Sequence, residues 1–98
     1  MRIVWSPLAV DRITEIAAWI SRDRPVAAAN LVQELFSSVE QLVSFPERGR
    51  RVPEIDQPDI RELIHKRYRI IYRVKADSID VLTVRHSRQD LEEEDLTG

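Results

Sequence analysis

The chain contains no cysteine. A disulfide framework and thiolate metal sites are therefore excluded. It has two glycines and five prolines in 98 residues, too few for a collagen-like or low-complexity protein. Its two histidines, His65 and His86, do not have the spacing of paired metal ligands. Neither Gly49 nor Gly98 stands in a glycine-rich phosphate loop. No cofactor and no metal are expected. No stretch approaches the roughly 18–20 apolar residues of a membrane span. The opening Met1-Arg2-Ile3-Val4-Trp5-Ser6-Pro7 holds no apolar run of signal-peptide length. These two absences lead us to expect no membrane association and a cytoplasmic location. What is present is 43% hydrophobic and 33% charged residues. That composition describes one globular domain, which buries roughly 60–65% of the surface its unfolded chain exposes.

The formal net charge is −2, but the charges are segregated. Between Arg61 and Arg88 stand eight basic residues against three acids, Glu62, Asp77 and Asp80. From Asp90 to the end stand Asp90, Glu92, Glu93, Glu94 and Asp95 with no base. A basic stretch followed by an acidic end points to an anionic partner, or to a tail that shields the basic face. By itself the run Glu92–Asp95 reads as a solvated tail.

Periodicity gives the element order. Arg2 to Trp5 is a short strand. Ser6-Pro7 then opens a helix, with Ser as N-cap and Pro at the first helical position. Ala9, Ile13, Ile16 and Ile20 form one apolar stripe, widened by Leu8 and Ala17. Pro25 starts a second helix with the stripe Ala28, Leu31, Leu35, Val39 and Leu42. So short a connection makes the pair an antiparallel hairpin. Pro46 to Arg50 is a turn, and Arg51 to Asp59 a loop containing Pro53 and Pro58. The period then becomes two. Strands are expected at Ile60–His65, Arg67–Lys75 and Ile79–Arg85, the last two joined tightly through Ala76-Asp77-Ser78. The fold class is α+β, in the order β-α-α-β-β-β. A helical hairpin should cover one face of a small, mainly antiparallel sheet. The expected core includes Ile13, Ile16, Ile20, Leu31, Leu35, Tyr68, Ile70 and Tyr72. One domain spans residues 1–91, and an acidic tail spans 92–98.

The strand over 67–75 is the informative one. Tyr68, Ile70, Tyr72 and Val74 should face the helices. Arg67, Arg69, Ile71, Arg73 and Lys75 should face the open side of the sheet. Arg61 and Arg85 on neighbouring strands add to that basic field. Arginine suits bidentate contact with carboxylate or phosphate. No nucleophilic triad is present: Ser87 follows His86 directly, which is not a triad geometry.

In this order, Ser6-Pro7 with Ala9 and Asp11, Pro25 with Ala28, Leu42 and Phe45-Pro46-Glu47-Arg48-Gly49-Arg50 resemble the ParE/RelE superfamily of type II toxin–antitoxin toxins. Pro53-Glu54, Arg61-Glu62-Leu63, Tyr68-Arg69-Ile70-Ile71-Tyr72-Arg73-Val74 and Val84 with His86 and Arg88 complete the resemblance. It spans Val4 to about Leu91 and is closer to the ParE branch. The resemblance implies a non-enzymatic inhibitor of DNA gyrase that a cognate antitoxin neutralises. The antitoxin would be of ribbon-helix-helix type with an acidic, apolar C-terminal segment. Its implied contacts are Arg61, Arg69, Arg73, Arg85, Arg88 and Trp19. The alternative branch, typified by RelE and YoeB, cleaves mRNA on the ribosome. For that activity the resemblance implies Arg69 as the cation, His86 as the proton-transfer group and Glu54 as the acid. Ser87 stands where the YoeB-like pattern has an aromatic residue.

Overall fold

The architecture follows from where each apolar stripe is buried. In the computed structural model, which describes residues 1–97, β1 is Arg2–Trp5, α1 is Pro7–Ser21 and α2 is Pro25–Glu40. A single 3-10 turn, Gln41–Val43, extends α2 and carries Leu42 into the core. Then come β2 at Arg50–Arg51, β3 at Ile60–His65, β4 at Tyr68–Val74, β5 at Ser78–His86 and a short α3 at Glu93–Thr97. The sheet order is β1-β5-β4-β3-β2. β1 runs parallel to β5, and the other pairs are antiparallel. The fold is thus α+β with the expected helical hairpin on one face. Two elements go beyond the expected order: the two-residue β2 inside the proline loop, and α3 inside the acidic end.

Ser6 joins the first helix to the sheet. Its Oγ accepts from the Ala9 amide at 3.0 Å and its hydroxyl donates to the Leu82 carbonyl at 2.7 Å. The N-cap is therefore also a long-range clasp. Between the hairpin and the sheet lies the main core: Ala9, Ile13, Leu31, Leu35, Val39, Leu42, Ile70, Tyr72, Ile79, Val81 and Val84. Ile16, Ile20 and Tyr68 pack against it half-buried. Five of the eight expected core residues are fully inside and three lie at its rim.

A second apolar cluster, Val52, Ile60, Ile71 and Leu82, lies on the opposite face of the sheet. Ile55, Leu91 and Leu96 cover it. The outer face is therefore not open, contrary to the sequence expectation. A bulge helps to build it. Ile71 pairs with Thr83, but Tyr72 pairs with Val81, so Leu82 is an extra residue in β5. Leu82 joins the outer cluster and Thr83 bonds to Asp95 on the same side. One inserted residue thus gives the outer face two consecutive side chains.

The turn after α2 is pinned from beneath by Tyr72, which is fully buried. The tyrosine hydroxyl donates to the Pro46 carbonyl at 2.8 Å and accepts from the Gly49 amide at 2.9 Å. Arg61 donates to the Gly49 carbonyl at 2.9 Å. A Cβ on Gly49 would lie 2.5 Å from the tyrosine oxygen and 2.6 Å from the Glu62 carbonyl. Only glycine fits there, which accounts for one of the two glycines in the chain. Gly49→Ala should lower stability by about 1–3 kcal/mol, the usual cost of overpacking. A thermal melt checks this, and an unchanged melting temperature would mean that the turn is not pinned by Tyr72.

Candidate functional site

The site residues divide between the two faces of the sheet, because side chains alternate along each strand. β4 and β5 pair Tyr68 with His86 and Arg69 with Arg85. Tyr68 and His86 point to the helix side, their rings in an edge contact 5.9 Å apart. Arg69 and Arg85 point to the outer side.

Arg69 is 5% exposed. Its Nη1 and Nη2 donate to the two Glu54 carboxylate oxygens at 2.9 and 2.8 Å. Its Nε donates to Glu62 Oε1 at 2.7 Å, and Nη1 also donates to the Gln89 carbonyl at 3.1 Å. Glu62 is 1% exposed and takes a further hydrogen bond from Arg50 Nε at 3.0 Å. A buried carboxylate of this kind is tolerated only when fully paired. The hydrogen bonds that it donates to Glu54 hold the Arg69 guanidinium above its ordinary pKa against the opposing effect of burial. The same bonds hold the Glu54 carboxyl below its ordinary value.

Arg85, opposite Arg69 on β5, repeats the pattern. Its Nε lies 3.0 Å from both oxygens of Asp95, which is fully buried. Asp95 also accepts from Thr83 Oγ1 at 3.0 Å and from the Glu92 amide at 2.8 Å. Burial works to raise the Asp95 pKa. The bonds from Arg85, the Glu92 amide and Thr83 outweigh it and leave the carboxyl below its ordinary value. Arg73 pairs with Asp59, and Lys75 with Asp80 at 2.7 Å.

Several sequence expectations are corrected by this arrangement. Arg67 and Lys75 lie just beyond the ends of β4 and so do not extend its basic face. Arg61 lies opposite Tyr72, on the helix side, and does not join the outer arginines. The cations that do face outward are matched by acids of the same chain. The acidic run is not a solvated tail over its described residues: Asp95 is inside, and Leu91 and Leu96 cover the second cluster. Sequence reasoning passed over Glu62, the most buried acid of the Arg69 cluster. Its period-two position between Ile60 and Ile64 was the available signal.

The nuclease candidates do not converge. Arg69 and Glu54 share a shallow pocket with Arg50, Ile64, Ser87, Gln89 and Asp90. His86 lines a different cavity of about 270 Å³, with Trp19, Tyr68, Arg12 and Gln89 among its walls. His86 Nδ1 accepts from the Arg88 amide at 3.2 Å. Arg88 itself is exposed, in the segment after β5. Trp19 is 70% exposed, with the Arg22 guanidinium 5.3 Å from its ring centre. The outer groove of the hairpin is separate and mainly apolar. It encloses about 570 Å³ between Val10, Ala17, Ala29, Val32, Phe36 and their neighbours. Among the described residues, no three His, Cys, Asp or Glu side chains converge as a metal site, and no helix is long and apolar enough to cross a membrane.

Comparison with known proteins agrees with this fold. The sequence model of the ParE toxin of type II toxin–antitoxin systems, parDE, matches residues 3–91. The protein named "Putative toxin Y4kP" from Sinorhizobium fredii is 34% identical over 90 residues, covering 90% of each chain. Toxin RelE2 from Caulobacter vibrioides is 29% identical over 87 residues, covering 88% of this chain and 94% of its own. A solved chain from the chromosomal ParDE TA system of P. aeruginosa superposes with a TM-score of 0.74. It covers 88% of this chain and 95% of that one at 23% identity, a likeness of fold. The chain belongs to the ParE toxin family of type II toxin–antitoxin systems.

The lowered carboxylates set an acid limit. A carboxyl whose folded pKa lies below its unfolded value stabilises the fold fully above the unfolded value. That contribution is lost as pH falls through the folded one. For Asp95 and Glu54 the ordinary values are 3.8 and 4.5. Acidification should therefore leave the C-terminal segment in place down to about pH 4 and release it below. NMR signals of residues 91–97 followed from pH 7 to pH 2 check this. Release well above pH 5 would contradict the paired state of Asp95.

Proposed function

We propose that this toxin arrests growth in the cytoplasm by binding a protein target, DNA gyrase, without cutting RNA, and that a cognate antitoxin neutralises it. The observation that carries the reading is the state of Arg69. A ribosome-dependent nuclease needs a cation free to meet the charge that develops on the scissile phosphate, close to a group that moves the proton. Here the Arg69 guanidinium is filled by Glu54 and Glu62, and His86 stands on the other face of the sheet. Removing those acids would leave a buried charge unpaired, which is costly. The missing aromatic residue at Ser87 points the same way.

For the antitoxin, the supporting feature is the apolar groove of about 570 Å³ on the outer side of the hairpin, a shape that suits the apolar face of a partner segment. The expected partner is a ribbon-helix-helix antitoxin with an acidic, apolar C-terminal segment. Its acids would meet the cations left exposed. Arg69, Arg73 and Arg85 are engaged within the chain, so Arg88 is the most accessible of the proposed contact arginines. Trp19, on the rim of the neighbouring cavity, is the remaining proposed contact. The RelE/YoeB-like endoribonuclease is the competing outcome.

Growth arrest with parallel reporters for DNA damage and mRNA cleavage tests the reading. The parent should raise the damage signal without early cleavage. His86→Ala should stay close to the parent, whereas a lost general base would reduce activity by about 10²–10⁴-fold. Arg88→Glu should weaken arrest while the melting temperature holds. Reversing Arg85 is a poorer probe, because it would break the Asp95 pair. Loss of toxicity in folded His86→Ala, with mRNA cleavage by the parent and no damage signal, would overturn the inhibitor reading.

A further inference from the structure

The turn that Tyr72 pins carries an aromatic residue on its outside. Phe45 is 59% exposed, and Val43, in the 3-10 turn before it, is 40% exposed. Beside Phe45 lies a mainly apolar hollow of about 530 Å³, walled by Ser44, Pro46, Glu47, Arg48 and Val74. A single exposed apolar side chain is ordinary on a protein surface. This one borders a hollow and is mounted on a fixed backbone. The Phe45 amide donates to the Gln41 carbonyl at 3.0 Å, and the Phe45 carbonyl accepts from the Arg48 amide at 3.1 Å. Beneath, the Tyr72 hydroxyl and Arg61 hold Pro46 and Gly49. A surface held in this way loses little freedom on contact, so less of its binding energy is offset by ordering.

The charges around the hollow decide what it fits. Arg50 and Arg51 have acids of their own chain, Glu62 and Asp56, at 3.0 and 3.6 Å. Glu47 and Arg48 are both exposed, and among the described residues neither has an oppositely charged group within 4.0 Å. The Arg48 guanidinium lies instead 5.8 Å from the Phe45 ring centre. The patch thus offers one free acid and one free base beside an apolar centre. A partner charged with one sign would satisfy half of it. A copy of the same patch satisfies all of it. Across a two-fold axis each Glu47 meets the Arg48 of the other copy, and the two Phe45 rings share the apolar centre.

We propose that the pinned turn, Phe45 with Glu47 and Arg48, is a self-docking surface through which two copies of this chain pair about a two-fold axis. The residues that wall the hollow wall neither the apolar groove of the hairpin nor the Trp19 cavity. Pairing therefore uses a surface separate from both. One turn per copy buries less than the roughly 1,200 Å² of stable complexes. The dissociation constant should accordingly be on the order of 100 µM, which makes the pair reversible and dependent on concentration. This inference does not depend on the identity of the toxin's target or of its antitoxin.

Sedimentation velocity of the full chain from about 10 µM to about 1 mM tests this. The parent should move from monomer toward dimer across that range. Phe45→Ser should weaken pairing by at least about tenfold, because both copies lose the aromatic. Glu47→Arg and Arg48→Glu each set like charges opposite one another, so each alone should stay monomeric. Mixed in equal amounts the two should pair, because every contact between positions 47 and 48 is then again between opposite charges. These are surface changes, and the melting temperatures should stay within about 4 °C of the parent. A parent that stays monomeric throughout, a mixture that does not pair, or pairing unchanged by Phe45→Ser would overturn the proposal. Should a variant fail to fold, NMR of the parent over the same concentrations decides the question. Signals that move on dilution should centre on residues 43–48 and Val74. Movement centred on the hairpin groove or on residues 91–97 would overturn the surface.

Discussion

Arg69 stands where strand, loop and chain end meet, and the outer half of the molecule is arranged around neutralising it. The side chain emerges from the central strand β4 beside the apolar cluster of Val52, Ile60, Ile71 and Leu82. A guanidinium buried there is stable only with carboxylates at hydrogen-bond distance. Glu62 comes from the adjacent strand, two residues from Ile60 in the outer cluster. Glu54 comes from the proline loop, which must therefore lie across the face, and its Val52 and Ile55 become part of the cover. The Gln89 carbonyl bonds the same guanidinium, so the chain after β5 is also drawn over the face. One buried cation thus ties a strand to two segments that carry little regular structure of their own.

For function, this moves cations from the list of contacts to the list of supports. Arg69, Arg73 and Arg85 look like a docking surface in the sequence, but in the fold they are bound by acids of the same chain. What remains presented to a partner is the apolar groove of the hairpin, the exposed Trp19 with Arg22 beside it, and the exposed Arg88. An apolar groove, an exposed tryptophan and exposed arginines are features that suit recognition of another protein.

Much of this was legible in the residues. The two helical stripes, the Ser6-Pro7 start and the Pro25 restart fall where the periodicity put them. The strand at Ile60–His65, and the one expected at Arg67–Lys75 and found at Tyr68–Val74, followed from the change of period. The outer face was not legible, for three physical reasons. Strand alternation names a face but not what covers it, so Val52, Ile55, Leu91 and Leu96 gave no signal as a second cluster. The bulge at Leu82 changes the parity of β5, and no glycine or proline marks it. Three acids that pair with the arginines of the basic stretch lie outside it in sequence: Glu54, Asp59 and Asp95. Five acids in a row of nine residues resemble a solvated tail until one of them, Asp95, finds a buried arginine. Arg61 was misassigned to the outer face for a simpler reason: its partner Tyr72 lies on the helix side.

The central claim is that the outer arginines are held by the chain's own carboxylates. It is tested most directly by the side-chain Nε–H signals of Arg69 and Arg85 in a ¹⁵N NMR spectrum of the free protein at neutral pH. Both should appear as sharp signals, shifted away from those of exposed arginines and slow to exchange with water, because each N–H is buried and bonded to a carboxylate. Arg88 should exchange quickly and serve as the internal reference. Fast exchange at Arg69 and Arg85, indistinguishable from Arg88, would mean that the face is open and would contradict the account.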